Sequence, residues 1–436
     1  MEERTLKQKT ARTLKWNTVD KLCSQLGYAV IGIVLANILP VEDFGLVGAL
    51  AIFQAFAILF VDSGFGAALL QKKEPREEDY STVFWFNLAV SIGIYWVLFA
   101  CAPLIADLFD GDRRLIPLSK VIFLTFVLNG LAIVQTNRLM KQMDVRMLAI
   151  SNIIGFIVSG TVGVWLAVAG YGAWAMVWQQ VSLAGVKTLV LWLTGGWLPK
   201  LIFSMKSLKE IWEVGFSVFS SSMLNTVCLN IYNFVIGISY GMAPLGIYTQ
   251  ADKWSKMGSA SISQILTSSF VPLLSRAQDS IDDFRRYVTK TSRFTALIVL
   301  PVMIGGALLA YPVFHLLFGT KWDAAVPLFQ ILMVRGIFIV YTSLYSNYLL
   351  SLGKSKALFA AEAVKDSLTV VALLSTVFLG SIPLLVWGQL AASLLTWLIV
   401  LILTSRAISA SPALLLRGLV PDLSEARAFL RRHFRK

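Results

Sequence analysis

Long apolar runs, almost without charge, constrain this sequence more than any other feature. Positions 44–60, 83–104 and 384–403 contain no Asp, Glu, Lys or Arg. About 18 such residues in a helix are enough to cross the hydrocarbon core of a bilayer. The chain is 57% hydrophobic and 14% charged, with a mean hydropathy of +0.71, so one soluble core could not enclose its apolar surface. The runs predict an all-α polytopic membrane protein.

The runs and the turns between them predict about twelve transmembrane helices. We place them at 17–38, 44–68, 81–107, 115–139, 147–169, 172–194, 213–238, 244–271, 294–317, 324–350, 357–380 and 382–404. The expected division of the chain is an N-terminal six-helix lobe at 1–194, a cytoplasmic interfacial linker at 195–212, a C-terminal six-helix lobe at 213–405 and a basic cytoplasmic tail at 406–436.

Basic residues outside these spans fall on alternate connections. With the N-terminus in the cytoplasm, the external connections hold only Arg113, Arg114 and Lys321. This asymmetry is the positive-inside pattern of membrane proteins. The formal net charge of +13 therefore indicates topology rather than a nucleic-acid partner. The pattern predicts a multi-pass protein of the bacterial inner (plasma) membrane, with both termini in the cytoplasm.

Two further segments mix apolar and basic residues. The segment 196–209 combines Trp197, Leu198 and Phe203 with three lysines, and the tail 413–436 combines leucines with arginines. Both are typical of amphipathic stretches that meet anionic lipid on the cytoplasmic surface. For the tail, a solvated helix is an equally good interpretation.

The second half of the chain repeats features of the first half in the same order. Val-Ile-Gly-Ile stands at 30–33 and again at 235–238, and Phe-Gly-Leu-Val at 44–47 is matched by Leu-Gly-Ile-Tyr at 245–248. Asn137 and Asn347 then follow matching Pro-Leu pairs at the same offset. Because each copy holds six spans, the two copies enter the membrane from the same side. They are expected to be parallel, pseudo-symmetric repeats with a site between them.

Polar residues recur at helical spacing on spans one, seven and eight. A polar face inside a membrane must line a cavity or contact another helix. We therefore predict a water-filled cleft between the two lobes. The residues expected to line it are Asn17, Gln25, Asn225, Asn230 and Asn233.

Cations within the spans predict that this cleft attracts an anion. A charge at mid-bilayer costs roughly 3 kcal/mol or more, which favours a functional role for such residues. The residues expected to bind an anionic headgroup are Lys21, Lys253, Lys256, Arg335 and Lys365. The alternative is internal pairing, and Asp252 with Lys256 has the favourable i,i+4 order for an ion pair on a helix.

Carboxylates within the spans are candidates for ion coupling or gating. They are Asp20, Asp62, Asp252, Glu362 and Asp366. Glu362 and Asp366 lie one helical turn apart with Lys365 between them. We expect this pair, or Asp62, to carry a coupling proton or sodium ion.

No constellation in the sequence indicates catalysis, a cofactor or a metal. A nucleotide-driven pump needs a Gly-rich Walker loop, which the sequence lacks. His315 and His433 are the only histidines, and the three cysteines have neither disulfide nor metal spacing. Cys23 and Cys228 are expected to be small core residues. These observations favour a transporter over an enzyme.

Several short motifs resemble those of polysaccharide-exporter proteins. The resemblance covers nearly the whole chain, and its motifs at the eighth span and before the tenth are the most specific. The motifs are Leu-Pro-Val-Glu-Asp-Phe-Gly at 39–45, Asp-Ser-Gly-Phe-Gly-Ala-Ala at 62–68, Gly-Ile-Tyr-Thr-Gln-Ala at 246–251, Phe-Val-Pro-Leu-Leu-Ser at 270–275 and Leu-Leu-Phe-Gly-Thr-Lys-Trp at 316–322.

This resemblance implies the multidrug/oligosaccharidyl-lipid/polysaccharide (MOP) exporter superfamily and its Wzx-type flippase branch. Members have a MATE-like fold and turn undecaprenyl-diphosphate-linked oligosaccharides from the cytoplasmic to the periplasmic leaflet by alternating access. The implied partners are that lipid, membrane lipids, a polysaccharide polymerase and a chain-length regulator. O-antigen, capsule, exopolysaccharide and teichuronic-type substrates all stay open. The alternatives are a multidrug or cation antiporter of the same fold and, from another class, a membrane sugar-lipid ligase or polymerase.

Overall fold

The computed structural model of the chain describes residues 2–62, 65–276, 280–378 and 380–419. The side chains of Asn17, Asp62 and Asn225, which the sequence assigns to the cleft or to ion coupling, lie outside this description. Within these ranges all regular secondary structure is helical. This agrees with the predicted fold class, since a helix satisfies its backbone hydrogen bonds within one spanning segment.

The chain divides by packing into two compact units, Met1–Gly246 and Ile247–Lys436. Helices of the first unit are α1 (Glu2–Ile38), α2 (Val41–Asp62), α3 (Phe65–Gln71), α4 (Glu77–Ala100), α5 (Ala102–Leu108), α6 (Leu115–Ile122), α7 (Leu124–Lys141), α8 (Val145–Val168), α9 (Trp174–Thr194) and α10 (Met205–Tyr240). They are followed by α11 (Met242–Arg276), α12 (Ile281–Leu308), α13 (Ala310–Phe318), a 3-10 turn (Thr320–Ala325), α14 (Val326–Ser351), α15 (Ser355–Val377), α16 (Ile382–Ala407) and α17 (Pro412–Arg417).

Every predicted span coincides with one or two of these helices. Eight helical segments in the described part of the chain are long and apolar enough to cross a membrane. The other four spans correspond to α9, α10, α11 and α15, and the described residues of α10 include a shorter apolar stretch, Thr226–Tyr240. Three of the four also carry residues that the sequence assigns to the transport site. Such polar residues are expected to face other protein groups or water rather than lipid alone.

The two units use the same internal pairings, which agrees with the repeat predicted from the sequence. In the first unit α4 and α9 both pack on α7, and α8 packs on α9. In the second unit α12 and α16 both pack on α14, and α15 packs on α16. The short helix α5 contacts α6, just as α13 contacts the 3-10 turn.

Each unit has its own buried core. Phe65, Phe84 and Trp197 belong to the core of the first unit, and Phe284 and Tyr348 belong to that of the second. The Tyr348 hydroxyl is completely buried and lies 2.6 Å from Thr291 Oγ1 on α12. A buried hydroxyl with such a partner avoids the cost of an unsatisfied polar group.

The repeat is broken at its first helices. α1 packs on α8, whereas α10, its counterpart in the sequence repeat, packs on α2, α3 and α4 within the first unit. Aromatic contacts account for part of this packing: Phe234 meets Phe53, and Trp212 meets Phe65. The packing boundary at Gly246 therefore differs from the predicted linker at 195–212, and the six-plus-six division stays a prediction about the repeat.

Two glycines at matching positions of the repeat make reciprocal contacts in the first unit. A Cβ atom at Gly45, near the start of α2, would lie 1.9 Å from the carbonyl oxygen of Met242. A Cβ atom at Gly246 would lie 2.2 Å from the carbonyl oxygen of Val41. The starts of α2 and α11 thus meet backbone to backbone, which only glycine permits at both positions.

The segment before α10 is hydrogen-bonded to the start of α4. Residues 197–204 contain no helix, and their backbone groups contact Ser81, Thr82 and Gln135; the Lys200 amide donates to Ser81 Oγ at 3.2 Å. Trp197 is buried, while Leu198 and Leu201 are largely exposed. Residues 197–204 of the predicted amphipathic segment therefore form a loop that is held by hydrogen bonds and exposes the apolar side chains of Leu198 and Leu201. Of the predicted basic tail, only the part up to residue 419 is described.

An ionic cluster joins α10 to the same region. The Lys72 ammonium group lies 2.9 Å from Asp79 Oδ1 on α4 and 3.1 Å from Glu210 Oε2 on α10. Burial opposes the charge on Lys72, but hydrogen bonds to Asp79 and Glu210 outweigh burial and raise its pKa. Ser207 Oγ also donates to Asp79 at 2.6 Å. These contacts help explain why α10 packs with the first unit.

Candidate functional site

The predicted site residues that are described fall into separate groups, each within one unit. On α1, the Asp20 carboxylate accepts a hydrogen bond of 2.9 Å from Asn152 on α8 and one of 3.5 Å from Ser24. Lys21 and Gln25 are exposed. The polar stripe of the first span is therefore divided: one edge is packed against α8, and the other is accessible. Asn152 is a contact that the sequence analysis missed.

On α11, the predicted ion pair between Asp252 and Lys256 is present. Asp252 Oδ2 lies 2.6 Å from Lys256 Nζ, and the carboxylate is buried. Its Oδ1 atom has no hydrogen-bond partner among the described residues. The neighbouring Lys253 is half-buried, and its ammonium group lies 5.6 Å from the centre of the Trp254 ring. Lys256, one of the two cations on this helix that were predicted to bind the headgroup, is thus paired with a carboxylate.

The polar face of α11 continues into a helix contact in the second unit. Asn347 on α14 donates a hydrogen bond of 2.8 Å to Thr267 Oγ1. Ser259 packs closely against Gly336, also on α14. Part of the face predicted to line a cleft therefore contacts α14, which was one of the two outcomes expected for a polar face within a membrane.

Arg335 lies on α14 and is half-buried. Its Nε atom donates a hydrogen bond of 3.0 Å to Ser393 Oγ on α16. This bond uses one of the five donors of the guanidinium group. The bond to Ser393 holds the Nε edge of the guanidinium group in place. The two terminal nitrogens of that group carry the donors that suit bidentate binding of a phosphate.

On α15, Lys365 contacts both predicted coupling carboxylates. Its ammonium group makes a short ion pair with Glu362 and lies 3.8 Å from Asp366 Oδ1. Asp366 is buried, whereas Glu362 is half-exposed. The two carboxylates are thus bridged by one cation, which reduces the like-charge repulsion expected from their spacing alone.

Two predicted lining residues are described on α10. Asn230 donates a hydrogen bond of 2.9 Å to the Thr226 carbonyl on its own helix. Asn233 is buried, and its Oδ1 atom has no partner among the described residues. Asn233 therefore lies within protein and Asn230 is partly exposed, and their role in a cleft stays a prediction.

One of the two cysteines that were expected to be core residues lies at the surface. Cys228 is buried as predicted, but Cys23 is exposed, so the expectation that it is a core residue is wrong. His315 Nδ1 lies 3.4 Å from Asp323 Oδ1, an acidic partner that its sequence neighbours did not indicate. Among the described residues, no three His, Cys, Asp or Glu side chains form a group that could hold a metal ion.

Comparison with known proteins identifies the family. The family model described as "Polysaccharide biosynthesis protein" matches residues 34–327, which is more than half of the chain. The chain belongs to the polysaccharide biosynthesis protein family. The matched residues include Gly45 and Gly246, which make the reciprocal contacts, and the ion pair of Asp252 and Lys256 on α11. The match confirms the predicted relationship to polysaccharide exporters.

Relatives within this polysaccharide biosynthesis family extend the match beyond residue 327. The chain is 26% identical over 394 residues to the teichuronic acid biosynthesis protein TuaB of Bacillus subtilis (strain 168), covering 88% of this chain and 80% of that protein. It is 25% identical over 344 residues to the lipopolysaccharide biosynthesis protein WzxC of Escherichia coli (strain K12), covering 76% of this chain and 68% of that protein.

Solved structures show which fold this family member adopts. The lipid II flippase MurJ in an inward closed conformation matches with a TM-score of 0.73 at 14% identity, covering 92% of this chain and 89% of that one. An inward-facing MATE transporter of the MOP superfamily matches with a TM-score of 0.65 at 16% identity, covering 90% and 99%. The predicted MATE-like fold is confirmed.

Proposed function

We propose that this protein is a flippase for an anionic lipid-linked oligosaccharide, which it turns from the cytoplasmic to the periplasmic leaflet by alternating access. The observation that carries this proposal is its membership of a family whose relatives are named for the biosynthesis of teichuronic acid, succinoglycan (a transport protein) and lipopolysaccharide. Undecaprenyl diphosphate is the carrier that the family resemblance implies.

Charge in the membrane supports an anionic substrate. A diphosphate cannot cross hydrocarbon unaided, because desolvating an ion there costs tens of kcal/mol on a Born estimate. Lys21, Lys253 and Arg335 would provide a basic path, with Lys256 and Lys365 contributing charge beside their carboxylate partners. Gln25, Asn230 and Asn233 would hydrate the same path or bind sugar hydroxyls.

The carboxylates argue against the multidrug or cation antiporter. Such a transporter needs acidic groups available to an organic cation. Asp252 is bonded to Lys256, and Lys365 contacts both Glu362 and Asp366. An organic cation would have to displace these lysines. Three of the four described candidate carboxylates thus contact a lysine, while Asp20 is hydrogen-bonded to Asn152 and Ser24; this balance suits an anion better.

We further propose that the protein resides in the inner membrane with both termini in the cytoplasm, that it acts as a transporter rather than an enzyme, and that it works beside a polysaccharide polymerase and a chain-length regulator. The distribution of Lys and Arg supports the orientation. The absence of a Walker loop from the sequence favours transport driven by an ion gradient rather than by nucleotide.

Binding of the substrate is the first test of this function. Purified protein in detergent should be stabilised by undecaprenyl-diphosphate oligosaccharide, by about 2.7 kcal/mol at a hundredfold excess over the dissociation constant. The neutral alcohol undecaprenol is the matched control and should stabilise the protein much less. Equal stabilisation by both lipids, or by neither, would count against recognition of the diphosphate.

The carboxylates on α15 provide a prediction about energy coupling. We expect the Glu362→Gln/Asp366→Asn double variant to lose the dependence of transport on a proton or sodium gradient, because the neutral amides can neither bind a proton as a carboxylate does nor attract a sodium ion by charge. Transport is measured in proteoliposomes with each gradient imposed separately. Glu74→Gln, which changes an exposed acid outside the spans, is the control. Unaltered gradient dependence in the double variant would exclude this pair.

A further inference from the structure

A groove with a volume of about 750 Å³ runs along α1 and α8 in the first unit. Its lining is almost entirely apolar and includes Leu26, Val30, Phe156 and Trp165. Leu26 and Trp165 are about two-thirds exposed. Along α1 the lining extends from Cys23 to Val34, which at 1.5 Å per residue is roughly 16 Å.

Glycines shape this groove. Gly27 on α1 and Gly160 on α8 both line it. A Cβ atom at Gly160 would lie only 2.6 Å from Ile31 Cδ1, so a larger residue there would force the end of the Ile31 side chain to move. At Gly27 a Cβ atom would meet Phe156 at 3.6 Å, an ordinary contact. A side chain at Gly27 would therefore pack against Phe156 and extend into the groove that Gly27 lines.

The seam between α1 and α8 becomes polar towards the N-terminus of α1. Asp20 is bonded to Asn152, and one turn further the Arg146 guanidinium lies 5.6 Å from the centre of the Trp16 ring. Arg146 and Lys21 are both exposed. In the proposed orientation this end faces the cytoplasm. The seam therefore has a basic end at the inner surface and an apolar groove leading into the bilayer.

We propose that this seam is the loading site for substrate in the cytoplasmic leaflet: the groove binds the polyisoprenoid tail, and Arg146 and Lys21 contact the diphosphate. The proposal rests on the proposed function and adds a tail site and Arg146 to it. The charge order matches an inner-leaflet anionic lipid, whose headgroup lies at the surface and whose tail points towards the bilayer centre. Arg146 also offers the planar fork that suits phosphate oxygens.

Physical reasoning favours a selected tail over any neighbouring lipid. Within a bilayer there is no hydrophobic gain on moving a chain from lipid into an apolar groove. Binding must come from close van der Waals packing along the groove, together with the contact at the headgroup. A long branched chain tethered to a diphosphate gains both the packing along the groove and the ionic contact at the headgroup. A phospholipid that lacks a diphosphate gains less at the headgroup.

The groove is tested by filling it. Gly27→Leu extends a side chain into the groove beside Phe156 and also removes a glycine from the interior of a helix. Gly93→Leu is the matched control, because a Cβ atom at Gly93 on α4 meets nothing within 4 Å. Each variant is reconstituted in proteoliposomes and tested with two substrates that carry the same diphosphate oligosaccharide on either a long or a short isoprenoid.

The wild type should move the long-tailed lipid at least fivefold faster than the short-tailed one. In Gly27→Leu the rate for the long-tailed lipid should fall to about that for the short-tailed lipid, and Gly93→Leu should keep the wild-type preference. Movement of both lipids by Gly27→Leu at the wild-type rates would overturn the tail site and leave the proposed function standing. Movement of neither lipid by the wild type would overturn both.

Cross-linking gives a readout that does not depend on transport. In a Cys101→Ala/Cys228→Ala background, a photoreactive maleimide attached to Cys23 should cross-link to the radiolabelled long-tailed lipid. The same reagent on Gly93→Cys, in a background that also carries Cys23→Ala, should not. Equal labelling from both positions would mean that the lipid contacts the helices without selection. Labelling from Cys23 should fall at least fivefold in Arg146→Glu, and unchanged labelling would remove Arg146 from the site.

Discussion

Replacing Gly45 by alanine is expected to destabilise the protein by about 3 kcal/mol, the upper part of the range for overpacked sites. The new Cβ atom would lie 1.9 Å from the carbonyl oxygen of Met242, a backbone atom that cannot rotate aside. Gly246→Ala should have a similar effect through the carbonyl oxygen of Val41. The measurement is the unfolding free energy in detergent.

The double variant Gly45→Ala/Gly246→Ala sharpens this prediction. Both changes push apart the N-terminal ends of the same two helices. The double variant should therefore lose less unfolding free energy than the sum of the losses in the two single variants. Gly93→Ala is the control: nothing lies near its Cβ position, and alanine should stabilise its helix by up to about 1 kcal/mol. If Gly45→Ala were as stable as Gly93→Ala, the backbone contact between α2 and α11 would be wrong.

Charge reversal at Arg335 should reduce transport at least a hundredfold while leaving the protein folded. Loss of a bidentate contact to phosphate and its replacement by a repelling carboxylate should together cost about 3 kcal/mol or more, at 1.36 kcal/mol for each factor of ten. Lys253→Glu should act in the same direction. Arg335→Lys keeps the charge but loses the fork, so its activity should fall between those of the wild type and Arg335→Glu.

Two controls separate this effect from structural damage. Ser393→Ala removes the hydrogen bond that positions Arg335 but keeps its charge, and should cost less than tenfold in transport. Lys290→Glu reverses an exposed cation outside the predicted spans and should be close to wild type. Wild-type transport in both Arg335→Glu and Lys253→Glu would refute the role assigned to the membrane cations.

The fold was largely predictable because a membrane-spanning helix can be recognised from the composition of a short stretch of sequence. Apolar runs predicted where the helices lie, whereas the orientation that the alternating basic loops predict stays a prediction. The breaks at Cys101, Phe123 and Leu309 were not predicted. Pro103 and Pro312 follow two of them within three residues, and this signal was overlooked, whereas Phe123 has no proline or glycine within five residues. The packing of α10 with α2, α3 and α4 was also missed, since the sequence repeat pairs α10 with α1 and carries no information about which helix each one contacts.

Site contacts were predictable only when they were local. The pair between Asp252 and Lys256 follows from i,i+4 spacing on one helix. The bond between Asp20 and Asn152 joins residues 132 positions apart, and that between Arg335 and Ser393 joins residues 58 apart. Such contacts depend on helix packing. The exposure of Cys23 was missed for the same reason, because a small residue in an apolar run fits a core and a groove equally well.

Movement of substrate between leaflets tests the central claim most directly. Wild-type protein in sealed proteoliposomes is given a labelled undecaprenyl-diphosphate oligosaccharide, and its exposure in each leaflet is followed with a membrane-impermeant sugar-modifying reagent. The same vesicles are loaded with a cationic dye to measure efflux. We predict protein-dependent equilibration of the lipid and no dye efflux above that of empty vesicles. Robust dye efflux with a stationary lipid would contradict the account and favour a cation antiporter.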